Sequence, residues 1–226
     1  SRLSAKRLPN KPLKTINDKE MIIHVYEIAK KTNIGEVFVA TPDEEIVKIV
    51  KKNGGKAVIT KKEHETGTDR IFEVFEKELK KNPKLIINLQ GDMPNLNPSV
   101  IKHLVDHMKK NTCEIGTLAS NLDGEIEKKD NNVVKVITEK NIKKKEFSRA
   151  IDFFRVSQSS IVDPVYHHIG IYAFTNEALI RYVNLKRSKL ELERKLEQLR
   201  ALENKMKIEV GYVKQCPLSI DTEEDL

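Results

Sequence analysis

Leu85-Ile86-Ile87-Asn88-Leu89-Gln90-Gly91-Asp92-Met93-Pro94 runs from a short apolar segment straight into a polar Gln-Gly-Asp turn. Leu85, Ile86, Ile87 and Leu89 suit a strand buried on both faces. Pro94 cannot continue a ladder, so the strand must stop near Gln90. Asp92 is thereby delivered at the carboxyl end of a core strand, beside a glycine that lets a ligand approach the backbone. In open α/β sheets the binding crevice lies at that end of the strands. Read in isolation, the same ten residues also describe a strand ending in an ordinary polar turn, so the flanking segments must decide.

Upstream, Ser1-Arg2-Leu3-Ser4-Ala5-Lys6-Arg7-Leu8-Pro9-Asn10-Lys11-Pro12-Leu13 is a loop with interspersed cations. Arg supplies a forked donor set and Lys a point charge, a combination that suits an oligophosphate; a basic tail has the same composition. A nucleotide-binding α/β domain normally has a strand ahead of such a loop. Met21 to Lys31 carries Ile22, Val25, Tyr26 and Ala29 at helical spacing, and Glu36 to Ala40 reads as a strand. Thr41 and Glu44 form a capping-box pattern around Pro42, opening a helix that ends at Asn53-Gly54. Ala57 to Thr60 is a further strand. Between it and a helix on Ile71, Val74, Phe75 and Leu79 lies His64-Glu65-Thr66-Gly67-Thr68-Asp69-Arg70, whose Thr hydroxyls and free N–H groups suit a base edge or phosphate. Arg70 in a first helical turn opposes the helix dipole, which hints at an anionic ligand. Strand and helix alternating at this pitch predict an α/β fold: a three-layer, mostly parallel Rossmann-like sheet with helices on both faces.

Downstream, Asn97 caps and Pro98 opens a helix on Ile101, Leu104, Val105 and Met108. Glu114 to Ser120 reads as a strand, Asn121 to Asn132 as a polar surface loop, Val133 to Thr138 as a strand, and Lys140 to Lys145 as a solvated turn ahead of Phe147-Ser148-Arg149-Ala150. His167 to Phe174 is a strand whose adjacent histidines point to opposite faces, so one of them makes a hydrogen bond rather than both binding one metal. Leu190 to Glu203 reads as one helix with Leu192, Leu196, Leu199 and Leu202 along one side and Glu197-Gln198 beside that stripe. Lys207 to Val213 is a strand. In the closing Ser219-Ile220-Asp221-Thr222-Glu223-Glu224-Asp225-Leu226, Asp221 or Thr222 reads locally as a helix N-cap. No repeat or linker divides the sequence, which reads as a single domain over 1–226.

With 226 residues, 38% hydrophobic and 33% charged, the composition is that of a globular protein with a heavily charged surface. No stretch approaches the about 18 apolar residues of a membrane span, and no signal peptide opens the chain. Cys113 and Cys216, without a CxxC, indicate neither a disulfide framework nor a zinc site, and fit a reducing cytoplasm. The net charge of +7 invites a nucleic-acid reading. Much of it is lysine along amphipathic helices with glutamate nearby, and 5% aromatic content leaves little for base stacking.

The segments R-L-S-A-K-R-L-P-N-K-P-L, H-E-T-G-T-D-R, L-Q-G-D-M-P, F-S-R-A, H-I-G-I-Y, L-E-Q-L-R-A-L and I-D-T-E-E-D-L occur in that order. The series resembles the 3-deoxy-manno-octulosonate (KDO) cytidylyltransferases from Ser1 to Leu226. R-L-P-x-K-P-L is shared among sugar nucleotidyltransferases at large, whereas H-I-G-I-Y with L-E-Q-L-R is far more specific to this family. The resemblance implies the nucleotide-diphospho-sugar transferase type of fold and a reaction in which CTP and KDO give CMP-KDO and pyrophosphate with Mg. Asp92 and Asp221 match the metal carboxylates. Arg2, Arg7 and Lys11 fall where the family holds the triphosphate, with Lys11 placed for charge on the leaving group. Thr68, Gln90 and Gly91 fall where it reads cytosine and ribose. Arg70, Arg149, His168, Tyr172, Glu197 and Gln198 match the sugar-acid positions, Arg149 also being a catalytic candidate.

The resemblance further implies a homodimer through a dimerisation and sugar-binding portion within about 140–190, around Phe147 to Tyr172. It implies a bacterial cytoplasmic enzyme feeding lipopolysaccharide synthesis, with neither nucleic acid nor membrane as partner. Three departures stand out. Met93 follows Asp92 where the family often has Glu, Ser219 stands where Gly is common, and the family's first strand and final helix are not represented. A chain lacking that strand would leave its neighbours' edges unpaired, so the working protein is expected to carry about half a dozen further apolar residues at its N-terminus, a typical strand. Two rivals remain: a cytidylyltransferase for another sugar acid such as sialic acid, and a non-catalytic nucleotide- or RNA-binding protein.

Overall fold

The computed structural model describes residues 1–4, 8–78, 83–142, 146–155 and 164–226. They form two compact units: Ser1–Asn82, Asn88–Lys102 and Pro217–Leu226 make the first, Pro83–Ile87 and His103–Cys216 the second.

In the first unit a 3-10 turn, Lys11–Leu13, leads into a hairpin of β1 (Thr15–Ile16) and β2 (Lys19–Glu20). Its two-residue loop, Asn17-Asp18, has both φ angles positive, at 48° and 62°. That is the turn geometry whose twist matches antiparallel strands, and Asn and Asp tolerate it best after glycine. Helix α1 (Met21–Lys31) follows directly. Its Ile22, Ile23 and Tyr26 pack against Val39, Ile46 and Val50 in one apolar cluster.

Strand β3 (Val39–Thr41) and strand β4 (Ala57–Ile59) pair in parallel, joined through helix α2 (Glu44–Lys52), the expected βαβ unit. Its boundaries differ from the sequence expectation. Thr41 is paired with Ile59 in the ladder and so stays extended, and the helix starts after Asp43. The Thr41 hydroxyl accepts from the Asp43 N–H at 3.1 Å, an ST turn in place of the capping box. The helix does end at Gly54, in the left-handed region at φ 71°. Helix α3 (Gly67–Glu78) comes next, then strand β5 (Leu85–Asn88) and helix α4 (Pro98–Lys110), whose residues are divided between the two units; ahead of α4 the Asn97 side-chain Oδ1 accepts from the Ser99 N–H at 3.0 Å as the predicted cap.

The second unit contains β6 (Ile115–Ser120), α5 (Gly124–Lys129), β7 (Lys135–Thr138), β8 (Phe147–Phe154), β9 (Val165–Thr175), α6 (Asn176–Val183), α7 (Lys189–Arg194), α8 (Gln198–Glu203) and β10 (Ile208–Tyr212). The strand order is β5-β9-β6-β10-β8-β7, and β7 also pairs with β9, so β6, β9, β7, β8 and β10 close into a ring. The sheet is not mostly parallel as the alternation predicted. Strands β6 and β10 are parallel, but β6–β9, β7–β8, β7–β9 and β8–β10 are antiparallel. The connection accounts for the β7–β8 pair, because the short segment between Thr138 and Phe147 is too brief for the crossover that parallel neighbours need; the other antiparallel pairs join strands distant in sequence.

Three further expectations change. The polar segment after β6 contains α5, which buries no residue and therefore shows no apolar stripe to read. Helix α6 was not anticipated; Thr175 caps it, its hydroxyl accepting from the Ala178 N–H at 3.1 Å. The segment Leu190 to Glu203 is two helices, broken where Lys195 takes φ 55°. An unbroken helix would align Leu192 with Leu196 and Leu199. Instead Leu192 is 53% exposed while the other two are buried.

Candidate active site

In the first unit, Leu218 N–H donates to Asn95 Oδ1 at 3.1 Å and Ile220 N–H donates to the Asp92 carbonyl at 3.0 Å. These two bonds stitch the last residues to the turn after β5 and set Asp221 beside Asp92. Ile220 itself packs with Leu8 and Met21, which holds the strip down. Lys11 enters from the 3-10 turn anchored by buried Pro12. Its Nζ donates to Asp92 Oδ2 at 3.1 Å, to Asp221 Oδ1 at 3.0 Å and to the Ile220 carbonyl at 2.8 Å. Two carboxylates and a carbonyl thus converge on one positive charge, the donor set that hard divalent cations take. Thr222 shows the expected capping pattern over the last turn: its hydroxyl accepts from the Asp225 N–H at 3.3 Å, and the Asp225 carboxylate accepts from the N–H groups of Asp221 and Thr222, both at 2.9 Å.

The other first-unit candidates lie on the same frame. The Thr68 hydroxyl, buried at the start of α3, accepts from Asn88 Nδ2 at 3.3 Å, tying that helix to the end of β5. Gln90 is exposed; a Cβ added at Gly91 would stand 3.4 Å from Ile22 Cδ1 and 3.5 Å from Ser1 Oγ. Met93, where an acid was missed, is buried, and Ser219 is exposed. Arg70 is buried and gives Nη1 to Thr60 Oγ1 and the Lys61 carbonyl, at 2.5 and 2.8 Å, and Nη2 to the Lys62 carbonyl at 3.2 Å. Burial, and then the charge of nearby exposed Arg2, lower its pKa. The helix-dipole oddity of Arg70 therefore has a local account: it clamps the loop ahead of α3. Arg7 lies outside the described residues.

In the second unit, His168 and Tyr172 share a face of β9, with ring centroids 5.5 Å apart. His168 Nε2 meets the Thr117 hydroxyl at 3.0 Å and its ring stands edge-on to Phe153 at 5.1 Å. Burial pushes its pKa down to about 3, with the charges of His167 and Arg155 adding to the effect. His167 turns the other way, its Nδ1 3.2 Å from both Glu127 carboxylate oxygens, as strand alternation required. Burial raises the Tyr172 phenol, and the Glu197 charge raises it further. Gln198 is buried at the head of α8, while Arg149 is exposed on β8 opposite Glu209.

Sequence reasoning missed what holds these groups. Thr117 lies where β9 bulges against β6, Gly170 and Ile171 having no partner there, and its hydroxyl reaches the Ile169 and Ile171 carbonyls. Glu191, fully buried, receives Arg200 Nε and Nη2 at 2.9 and 2.7 Å, Arg187 Nε at 3.0 Å and the Ser188 N–H at 3.1 Å. Arg200 also lies 4.6 Å over the Tyr182 ring, whose hydroxyl donates to the Glu197 carbonyl at 2.8 Å. The Arg of L-E-Q-L-R is thus an internal brace behind Glu197-Gln198, a role that a single-helix reading hides. Among the described residues one group of three potential metal ligands meets elsewhere, His107, Cys113 and Glu209. There His107 and Glu209 hydrogen-bond to each other, and burial first, then Glu209, push the Cys113 thiol up to about 12, which disfavours a thiolate ligand. Both cysteines are free, and among the described residues no helix is long and apolar enough to cross a membrane.

Known proteins resemble this chain over most or all of its length. A family model described as cytidylyltransferase matches residues 1–208. A 3-deoxy-manno-octulosonate cytidylyltransferase from Bartonella tribocorum is 42% identical over all of this chain and 93% of its own. The one from Brucella ovis is 40% identical over all of this chain and 90% of its own. A solved structure of CMP:2-keto-3-deoxy-manno-octonic acid synthetase complexed with CTP superposes with a TM-score of 0.88 at 33% identity, covering 99% of this chain and 91% of that one. The fold is accordingly that of the nucleotide-diphospho-sugar transferases, and this chain belongs to the 3-deoxy-manno-octulosonate cytidylyltransferase family.

Proposed function

We propose that the chain transfers CMP from CTP to KDO, giving CMP-KDO and pyrophosphate. The observation that carries the site assignment is the convergence of Asp92, Asp221 and the Ile220 carbonyl on Lys11 Nζ. The residues fit Mg: one cationic group already sits among three hard oxygen acceptors, two of them anionic. When bound, the ion offsets charge on the α-phosphate and orients the attacking hydroxyl. Asp92 and Asp221 would hold it. Lys11 with Arg2 and Arg7 would bind the triphosphate and offset charge gathering on the departing pyrophosphate. Thr68, Gln90 and Gly91 would bind cytosine and ribose. The anomeric hydroxyl of KDO attacks the α-phosphorus in line; such a transfer needs positioning and charge neutralisation more than covalent help.

For the sugar acid, Arg149 and Arg70 would meet the carboxylate, and His168, Tyr172, Glu197 and Gln198 the hydroxyls. A low His168 pKa suits that task, because a neutral imidazole both donates and accepts. The Arg70 donors already committed to Thr60–Lys62 make Arg149, on an exposed strand position, the stronger carboxylate partner. The chain would act as a homodimer through the segment from Phe147 to Tyr172, where Ile151 is 55% exposed on β8. Its place would be the bacterial cytoplasm, supplying lipopolysaccharide synthesis. Pyrophosphate release from CTP, with KDO and Mg, tests the reading. Release is expected to need both, to fail with sialic acid as acceptor, and to fall at least about 100-fold in Asp92→Asn. Undiminished release in that variant would remove the proposed cation site.

A further inference from the structure

An ammonium has three N–H donors and no acceptor. Lys11 Nζ uses its three on Asp92 Oδ2, Asp221 Oδ1 and the Ile220 carbonyl. In this geometry it cannot also hold a triphosphate, and the oxygens it occupies are those that fit a divalent cation. An ammonium left about 3 Å from such an ion's ligands would repel it strongly. The two roles proposed for the site therefore exclude each other while Lys11 stays where it is. We infer that Lys11 is the resident cation of the nucleotide-free site, and that the divalent ion enters together with CTP, as a metal–nucleoside triphosphate complex, exchanging places with Nζ. This inference rests on the function proposed above.

The local structure permits the exchange. Lys11 follows Asn10, held in the left-handed region at φ 57°, and precedes Pro12, which is buried, so the backbone is fixed while the four-carbon stem is not. Its side chain is 15% exposed, leaving a way out. Charge balance gives the reason for ordered entry. One ammonium leaves the two carboxylates with one net negative charge. A divalent ion added beside an unmoved ammonium would reverse that sign, whereas the incoming phosphates supply negative charge and new acceptors for Nζ together.

The test separates the exchange from simple repulsion and from failure of the site itself. Mn2+ binding to nucleotide-free protein is followed by electron paramagnetic resonance, and CTP binding, without KDO, is measured by calorimetry in chelator and in saturating Mn2+. Lys11→Met is expected to bind Mn2+ about tenfold more tightly than the parent when CTP is absent, the ratio one charge-assisted hydrogen bond supports. The gain in CTP affinity conferred by Mn2+ is expected to shrink by a similar factor, since linkage is reciprocal. Lys11→Gln repeats the measurement should the first variant misfold by circular dichroism. If Lys11→Met leaves that coupling unchanged, Lys11 is a bystander charge and the exchange is wrong while the site stands. If Asp92→Asn binds Mn2+ like the parent with and without CTP, the carboxylate site itself is wrong.

Discussion

Replacing Arg200 by Met should destabilise the second unit far more than a surface change would. Glu191 is wholly buried and accepts from guanidinium groups, Arg200 through Nε and Nη2 and Arg187 through Nε, as well as from the Ser188 N–H. Burial alone would raise the Glu191 pKa; the Arg200 and Arg187 donors hold it below the usual carboxylate range. Removing Arg200 leaves the buried carboxylate with only Arg187 and the Ser188 N–H to offset its desolvation, and forfeits the contact with the Tyr182 ring. The cost is about 3–5 kcal/mol, or a Tm lower by about 6–20 °C for a chain of this size. The double variant Glu191→Leu, Arg200→Met removes both charges and should recover most of that loss, because desolvation of the pair nearly cancels its attraction. Differential scanning calorimetry on the two single variants and the double completes the cycle. At a temperature where Arg200→Met remains folded, KM for KDO should rise and CTP affinity should not, since the brace supports Glu197-Gln198 through Tyr182. A double variant costing the sum of the singles, or an Arg200→Met cost below about 1 kcal/mol, would refute this reasoning.

Three other outcomes are expected. His168 titrates at about 3 when folded and near 6.5 when unfolded, so between those values the unfolded chain carries the extra proton. Its contribution is full above 6.5 and is lost as pH falls, about 2 kcal/mol by pH 5; urea midpoints between pH 5 and 8 should slope accordingly, and the slope should flatten in His168→Gln. Gly211→Ala places a methyl group 2.3 Å from Phe147 Cζ, a clash with a rigid side chain that also stacks on His107 at 3.6 Å. It should cost about 1–3 kcal/mol by thermal melt, and Phe147→Leu should relieve it. Asp221→Asn should cut pyrophosphate release about as deeply as Asp92→Asn while leaving Tm within a few degrees, because Lys11 retains the Ile220 carbonyl; a large Tm loss would make its role structural.

Local signals in the sequence held where a single periodicity ruled. Helix α1, the β3–α2–β4 unit, the Gly54 stop and the Asn97 cap follow from apolar spacing and turn chemistry. The direction of strands in the second unit did not, because His167–Phe174 looks alike in a parallel or an antiparallel sheet and pairing partners are distant in sequence. The break at Lys195 was invisible since a lysine in the left-handed region leaves no mark in composition. At the candidate site the chemistry-bearing residues were legible through motif order, and Lys11, Asp92 and Asp221 do meet. Thr117 and Glu191 were not, because each acts on a neighbour's backbone or charge rather than on a pattern of its own.

The Ile220 N–H to Asp92 carbonyl bond has a bearing on how the protein is made. Lys11 lies 81 residues from one carboxylate and 210 from the other. A ribosome delivers them in that order, so a nascent chain halted before Ile220 has the basic loop and the first acid without the second. The proposed centre therefore closes only once Ile220 and Asp221 have been made, and products terminated before them would be chemically silent whatever else in them had folded.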